Sequence, residues 1–573
     1  MDAQSMDAWS RGDSGAVLDA SADAASPVAD AGVDAGSDAG TDASLDTGSF
    51  ASDAGMDVGS DAFDPCTRCD INATCASSTC TCNPGFVGDG ITCMPRTLGI
   101  SAFEGFFKAS NTEGDDSFGI SLALSEDGST LAVGAYDEDS SGTGVGSVPN
   151  NLSTNSGAVY VYRRVGAGWS FQAFIKASNT GDGDNFGVSV ALSADGNTLA
   201  VGANSEDSSG RGVGTVSDEG AGNSGAVYVY TRVGAAWSFQ AFVKASNTGG
   251  GDGFGAAVAL SADGDTLAVG AINEDTSGAG VGSPSDEALA DSGAAYVFVR
   301  AGAVWTFQSF FKASNPGVND FFGRSVALSG DGNTLAVGAQ REGSSGTGVG
   351  SVPNEGASES GAVYVYTRVG AGATAWAFQS FVKASNTGAF DIFGWSVALN
   401  SDGNTLAVGA MFENSSGTGV GSVPNEGASD SGAVYVYTRV GSTWSFQAFI
   451  KASNTGASDR FGVTVALSGD GNVLAVGAVD EASSGVGVGG VPDEGASQSG
   501  AVYVYTRAAG AWSQQAFVKA SNTGMGDAFG RVALSADGST LAVGASNEDS
   551  SGTGVGSVPN EGAPQSGAVY VYR

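Results

Sequence analysis

The sequence predicts an all-β chain, a seven-bladed β-propeller preceded by a small cysteine-rich module and a disordered tail, and three observations carry that prediction. One pattern occurs seven times: Phe-Gly, then Asp-Gly, then Leu-Ala-Val-Gly-Ala, then Ser-Gly-Ala-(Val/Ala)-Tyr-Val-(Tyr/Phe). Its Asp-Gly aspartates are Asp127, Asp195, Asp263, Asp331, Asp402, Asp470 and Asp537, with steps of 68, 68, 68, 71, 68 and 67 residues, a period that marks one supersecondary unit copied in tandem. Within each copy apolar residues alternate with period two, as half-buried strands require. Four strands in each of seven copies fit a radial arrangement better than a sandwich, because a ring leaves few sheet edges exposed.

Residues 1–62 are Asp-Ala-Gly and Ser-Asp-Ala strings with a single basic residue, Arg11. Too little apolar surface is present to offset the entropy of ordering, so a disordered acidic spacer is expected there, and its many glycines argue against a helix. Arg11-Gly12-Asp13 looks like an integrin-ligand tripeptide, but three residues match easily by chance.

Residues 63–95 hold all six cysteines: Cys66, Cys69, Cys75, Cys80, Cys82 and Cys93. The run from Cys80 through Gly85-Phe86, Gly88-Asp89-Gly90 and Cys93 resembles the end of an EGF-like module. That resemblance implies disulfides Cys66–Cys75, Cys69–Cys80 and Cys82–Cys93; the cysteines alone allow fifteen pairings. A zinc site at Cys66-x-x-Cys69 is the competing reading. The calcium-binding form of the module carries an Asp-x-Asp-Glu lead-in, which Ala62-Phe63-Asp64-Pro65 does not match.

Residues 99–573 form the propeller. In the second copy, strand A places Phe186, Val188, Val190 and Leu192 on one face, and strand B is 199–203. Between them Ala194-Asp195-Gly196-Asn197 signals a tight hairpin. Strand C, 226–231, puts Val227 and Val229 on one face and Tyr228 and Tyr230 on the other, and strand D runs 237–244. The last copy stops after its third strand, at Val569-Tyr570-Val571-Tyr572-Arg573, whereas an orphan fourth strand at 103–108 precedes the first copy and ends in the recurring Lys-Ala-Ser-Asn. That N-terminal strand is expected to complete the last blade and close the ring. One copy is short: Phe529 to Asp537 spans eight positions where Phe461 to Asp470 spans nine. A lost residue inverts side-chain facing unless the backbone compensates, so a distortion near Gly530 and Arg531 that keeps Phe529 buried is expected.

Phe-Gly opening strand A, Val-Gly-Ala closing strand B and Gly-Ala-Val-Tyr-Val-Tyr in strand C resemble the FG-GAP repeats of the integrin α-subunit propeller and its bacterial relatives, over residues 102–573. The proline that often follows Gly-Ala in that family is replaced by Tyr136, Asn204, Ile272, Gln340, Met411, Val479 and Ser546. The family's calcium loop resembles Asp-x-Asp/Asn-x-Asp-Gly-x-x-Asp; here Ala191–Leu199 keeps only Asp195 of its carboxylates, too few oxygens for a cation that takes six to eight. No cofactor is therefore called for, calcium being the one candidate.

In a four-strand meander the A–B and C–D hairpins share one face of the ring, and the B–C and D–A connections share the other. The B–C loop is long, 204–225 in the second copy, and long loops on a rigid scaffold are where binding usually resides. That face is expected to carry two recurring carboxylates per copy: Asp116, Asp184, Asp252, Asp320, Asp391, Asp459 and Asp527 two residues before Phe-Gly, and Glu138, Glu206, Glu274, Glu342, Glu413, Glu481 and Glu548 after Val-Gly-Ala. They are weak candidates for a metal or a basic ligand. The structural alternative has each Asp bonding its own turn and each Glu organising its loop or pairing with Lys108, Lys176, Lys244, Lys312, Lys383, Lys451 or Lys519. Trp169, Trp237, Trp305, Trp376, Trp444 and Trp512 could be sugar platforms, but their place at the start of strand D favours covering the blade's outer edge.

With 23 basic and 61 acidic residues and a net charge of −38, the chain repels phosphate backbones, so nucleic acid is excluded as a partner. No stretch has the apolar length of a membrane span. Histidine is absent, which removes the commonest general base. Disulfides need an oxidising compartment. Met1-Asp2-Ala3-Gln4-Ser5 has neither the basic nor the apolar region of a signal peptide, so the export segment is expected to be missing from this chain. The expectation is a monomeric secreted or cell-surface protein, not an enzyme, that binds an extracellular protein or carbohydrate in adhesion. The alternatives are a carboxylate-dependent hydrolase and a structural cell-envelope component.

Overall fold

The computed structural model describes residues 100–573, apart from 167, 216, 284–285 and 371–375, and four short strands ahead of them. In the N-terminal unit, Ala73–Ala76 pairs antiparallel with Thr79–Cys82, and Phe86–Gly88 with Cys93–Pro95. The acidic spacer, the zinc alternative and the cysteine pairings lie outside the described residues.

Leu98–Arg573 is a separate compact unit. It contains seven four-stranded antiparallel sheets, and no helix occurs among the described residues. Blade 1 is Ser121–Leu124, Thr130–Ala135, Ala158–Val165 and Gly168–Ile175; blade 2 is Ser189–Leu192, Thr198–Ala203, Ala226–Val233 and Ala236–Val243. Blade 7 takes Phe529–Leu534, Leu541–Ala545 and Ala568–Tyr572 from the C-terminus and its fourth strand, Phe103–Phe107, from the other end of the ring. The closure expected from the orphan strand is therefore realised, with Phe106 opposite Tyr570 and Phe107 opposite Val569.

Alternation in strand C explains how the blades stack. Val159 and Val161 of blade 1 pack with Tyr228 and Tyr230 of blade 2, and Val227 and Val229 of blade 2 pack with Tyr296 and Phe298 of blade 3. Each blade thus offers a small-residue face to one neighbour and an aromatic face to the other. The Phe of Phe-Gly fills the space between: Phe186 lies edge-on to Tyr228 at 5.3 Å. The seventh such interface, with Val569 and Val571 against Tyr160 and Tyr162, seals the circle.

Strand A departs from simple alternation. Phe186, Val190 and Leu192 face one interblade core, but Val188 lines the central cavity instead. The cause is the backbone at Phe-Gly. Gly187 has φ +96°, and a Cβ there would come within 2.5 Å of Ala158 O, so only glycine fits. In blade 3 this appears as a bulge: Phe254 faces Ala271 and Ala257 faces Gly270, with two unpaired residues between. Blade 7 has one unpaired residue there, since Phe529 faces Ala545 and Arg531 faces Gly544. The missing residue is taken from the bulge, Phe529 stays fully buried, and the strand beyond keeps its facing, as the spacing argument requires.

The A–B hairpins meet around the axis. Glu126 N donates to Ala194 O at 2.9 Å, Ala194 N to Ala262 O at 2.9 Å, and so on through Gly330, Ser401, Gly469 and Ala536, whose N–H returns to Glu126 O at 3.0 Å. Seven hairpin tips form a closed circle of backbone hydrogen bonds at this end of the ring. The B–C loops do not stay on the opposite face as expected. Val145 bridges Ile175, and Gly146 N donates to Phe174 O at 2.8 Å, so the middle of each loop runs down the outer edge of strand D. That covering blunts a sheet edge that would otherwise pair with another chain.

Candidate functional site

The recurring glutamates are interior groups. Lys176 Nζ, at the end of strand D, donates to Glu138 Oε2 at 2.9 Å and to Ser156 Oγ at 2.8 Å. Ser140 N donates to Glu138 Oε2, the Ser140 hydroxyl donates to Oε1, and Asn111 Nδ2 from the preceding blade donates to Oε1 at 3.0 Å. The same Lys–Glu pair occurs as Lys244–Glu206, Lys312–Glu274, Lys383–Glu342, Lys451–Glu413, Lys519–Glu481 and, across the closure, Lys108–Glu548, at 2.9 to 3.1 Å. Burial pulls each lysine below its ordinary pKa while the partner glutamate opposes that shift. Both oxygens of each glutamate are engaged, so the group stabilises its loop and holds nothing toward solvent.

Lys-Ala-Ser-Asn also joins blades. Tyr162 OH donates to Lys108 O at 2.7 Å, and Tyr160 OH to Asn111 Oδ1 at 2.7 Å. The two strand-C tyrosines of one blade therefore read the end of strand D of the blade before it. This accounts for the coincidence of Tyr-Val-Tyr and Lys-Ala-Ser-Asn in six copies; in the third, Phe298 replaces the second tyrosine and only Tyr296 makes the contact, to Asn247 Oδ1 at 2.8 Å.

The recurring aspartates are turn caps. Asp184 Oδ2 accepts Gly181 N at 2.7 Å, and Asp252 Oδ2 accepts Gly249 N at 2.7 Å. All seven are buried. Burial, reinforced by nearby glutamates, pushes the pKa of Asp184, Asp252, Asp320, Asp391 and Asp527 up to about 7, of Asp116 to about 8 and of Asp459 to about 6. The fourteen carboxylates thus belong to the scaffold between loop and strand, and do not form an open acidic face. The hairpin aspartate is likewise occupied: Asp195 Oδ1 accepts Ser193 Oγ at 2.6 Å and Asn197 N at 2.9 Å.

The tryptophans sit between blades and not over an outer edge. Trp237 Nε1 donates to Gln172 Oε1 of the preceding blade at 2.9 Å; Arg232 donates to the same oxygen at 3.0 Å and stacks over the indole at 5.2 Å. Buried in this way, Trp237, Trp305, Trp376, Trp444 and Trp512 offer no platform to a sugar, while Trp169 is half-buried. At the closure Glu104 takes the glutamine's place, 3.4 Å from Arg164, and the buried Trp169 Nε1 has no hydrogen-bond partner.

What does face solvent is the lower part of each B–C loop. Glu219, Glu287, Glu355, Glu426, Glu494 and Glu561 are exposed there, and Val148, Val352, Val423, Val491 and Val558 are each 79 to 80 % exposed. The inner strands hold residues that reasoning from the repeat passed over: Arg324, Trp395 and Arg531 line the central cavity. The signal was available, because the residue after Phe-Gly is Ile120, Val188, Ala256, Arg324, Trp395, Val463 and Arg531 in the seven copies. It varies in size and charge where its surroundings repeat.

The profile of a family described as FG-GAP repeat matches residues 169–230, 237–298, 305–366, 376–437 and 444–505, one span per pair of neighbouring blades. Among solved structures, Kuenenia stuttgartiensis hydrazine synthase is similar over 76% of this chain and 93% of its own, at 12% identity and a TM-score of 0.41. No curated protein matches the chain.

Proposed function

Because five family repeats cover more than half of its length, the chain belongs to the FG-GAP repeat family, and from that premise we propose that it is a secreted or cell-surface binding protein. Its partner is an extracellular protein or carbohydrate, met by the exposed parts of the B–C loops, and adhesion is the role. The observation that carries this reading is the division of labour among polar groups. Each recurring Lys, Glu, Asp and Tyr, and every recurring Trp but Trp169, is consumed inside the scaffold, while the loops, pinned to strand D, present exposed valine beside exposed glutamate. Rigid, edge-protected scaffolds with loops of mixed apolar and acidic character suit recognition.

The six closely spaced cysteines support an EGF-like, disulfide-bonded module ahead of the propeller, and with it an oxidising compartment. We propose binding without catalysis, because the aspartates with raised pKa recur alike in all seven blades behind the turns they cap. The test is an array of glycans and extracellular proteins probed with the full chain, with and without calcium. A partner whose binding is lost when Val352, Glu355, Val423 and Glu426 are changed to Ser supports the reading. Binding indifferent to those changes, or turnover of a glycan, overturns it.

A further inference from the structure

Against the outer edge of blade 1 lies a groove of about 420 Å3, a size that suits a small ligand. Its walls are the middle of the B–C loop at Val145, Ser147 and Pro149, strand D at Phe171 and Gln172, and the C–D turn of blade 2 at Ala235. No charged residue lines it, although the chain carries a net charge of −38. Such a groove selects an uncharged ligand, because an ion would leave water and find no partner there.

Gln172 gives the groove a fixed donor. Its Oε1 accepts Trp237 Nε1 at 2.9 Å and Arg232 Nη1 at 3.0 Å, and both of those groups can only donate. The amide cannot turn over without setting donor against donor, so its NH2 is held away from them. Neither amide proton has an acceptor among the described residues, and the Ser147 hydroxyl is also without a hydrogen-bond partner. Phe171, beside them, is 41 % exposed. An apolar side chain lodged here would cover the amide protons and leave them unsatisfied. A sugar can lay its C–H face on the ring and offer hydroxyl oxygens to the amide, using both kinds of surface.

The pair recurs as Phe239-Gln240, Phe307-Gln308, Phe378-Gln379 and Phe446-Gln447. Those rings are 39 to 44 % exposed, and each glutamine accepts the indole N–H of the next blade. In each of these blades the B–C loop is bridged to strand D as in blade 1. The pair is broken only at Gln514-Gln515 and at Phe103-Glu104. We propose that these rim grooves bind a neutral polysaccharide, one sugar unit to a groove, with Phe171 and its counterparts as stacking rings and Gln172 and its counterparts as donors. Like sites repeated around a ring suit a ligand that itself repeats, since weak contacts then combine as avidity. The site rests on strand D and not on the exposed loop valines and glutamates, so it stands if the loop reading fails.

The experiment is native affinity electrophoresis of the full chain in gels cast with dextran, mannan, galactan or xylan, with poly-L-proline as the arm for an apolar peptide. The expected result is retardation by at least one polysaccharide, and the arm that retards identifies the sugar. Phe171→Gln, which installs the residue that the sixth blade carries at Gln514, should weaken that retardation in part. The same change at Phe171, Phe239, Phe307, Phe378 and Phe446 together should lower the apparent affinity about tenfold or more. Val318→Ser, at a residue 58 % exposed on a D–A connection, should leave it unchanged. Retardation by no polysaccharide, retardation by poly-L-proline alone, equal retardation of the folded fivefold variant, or equal loss in Val318→Ser overturns the proposal. Should the fivefold variant fail to fold, Phe171→Gln combined with Phe239→Gln decides: it should bind more weakly than Phe171→Gln alone, and equal binding overturns the proposal.

Discussion

Removing the N-terminal strand should open the ring, and the structure sets the size of the effect. Phe103–Phe107 is hydrogen-bonded to Ala568–Tyr572 and is the fourth strand of blade 7. Phe106 and Phe107 are 4 % and 0 % exposed, and Phe107 lies 5.3 Å from Tyr162 and 5.6 Å from Trp169 in the interface with blade 1. Losing a buried Phe costs about 3–5 kcal/mol. Leaving Glu548 without Lys108, its partner at 3.0 Å, costs about 3–5 kcal/mol more, because a buried charge is then uncompensated. With two phenylalanines the loss reaches about 9–15 kcal/mol, comparable with the whole stability of an ordinary domain, and a bare strand edge is exposed besides. A chain beginning at residue 111 should aggregate or melt far below the parent in calorimetry and size-exclusion chromatography, whereas deleting residues 1–62 should change neither. A chain from residue 111 that stays monomeric and melts like the parent would refute the closure argument.

Three further outcomes are expected. Lys244→Met leaves Glu206 buried without its cation and should cost about 3–5 kcal/mol in urea unfolding; adding Glu206→Gln should recover more than half, and a double variant as unstable as the single would show that charge is not the cause. The seven turn-capping aspartates have folded pKa values of about 6 to 8, above the unfolded value, so the folded state binds more protons and their contribution is lost as pH rises through those values. The melting temperature should therefore be lower at pH 8.5 than at pH 5.5, with the gap narrowed by Asp184→Asn; a profile rising over that range would contradict the assignment. Gly187→Ala, at φ +96° and 2.5 Å from Ala158 O, should destabilise more than Gly530→Ala, whose nearest contact is Val479 Cγ1 at 3.0 Å, by about 1–3 kcal/mol in chemical denaturation; equal losses would show that the two Phe-Gly turns do not differ as described.

Much of this architecture was legible before any coordinates. The count of seven blades, the order of strands and the closing role of 103–108 follow from period and alternation, which are properties of neighbouring residues. The shortened copy was readable too, since removing one residue has a parity consequence that burial of Phe529 must answer. Less of the candidate site could be read. Asp184 and Glu206 recur as a binding residue would, and a scaffold residue recurs in the same way. Their separation came only from seeing that Glu206 meets Lys244, 38 residues away, and Asn179 from the blade before.

By itself, then, the sequence determined the fold, because a repeat that cannot bury its own faces must stack on copies of itself. Tertiary structure alone decided where the exceptions went. The B–C loop turns down the outer edge because strand D has unpaired backbone groups there, and Trp237 moves between blades because Gln172 of the previous blade accepts its N–H. Arg324 and Arg531 come into one cavity although 207 positions separate them in the chain. Their proximity is a property of the closed ring, since residues on different blades become neighbours only where all seven inner strands converge on the axis.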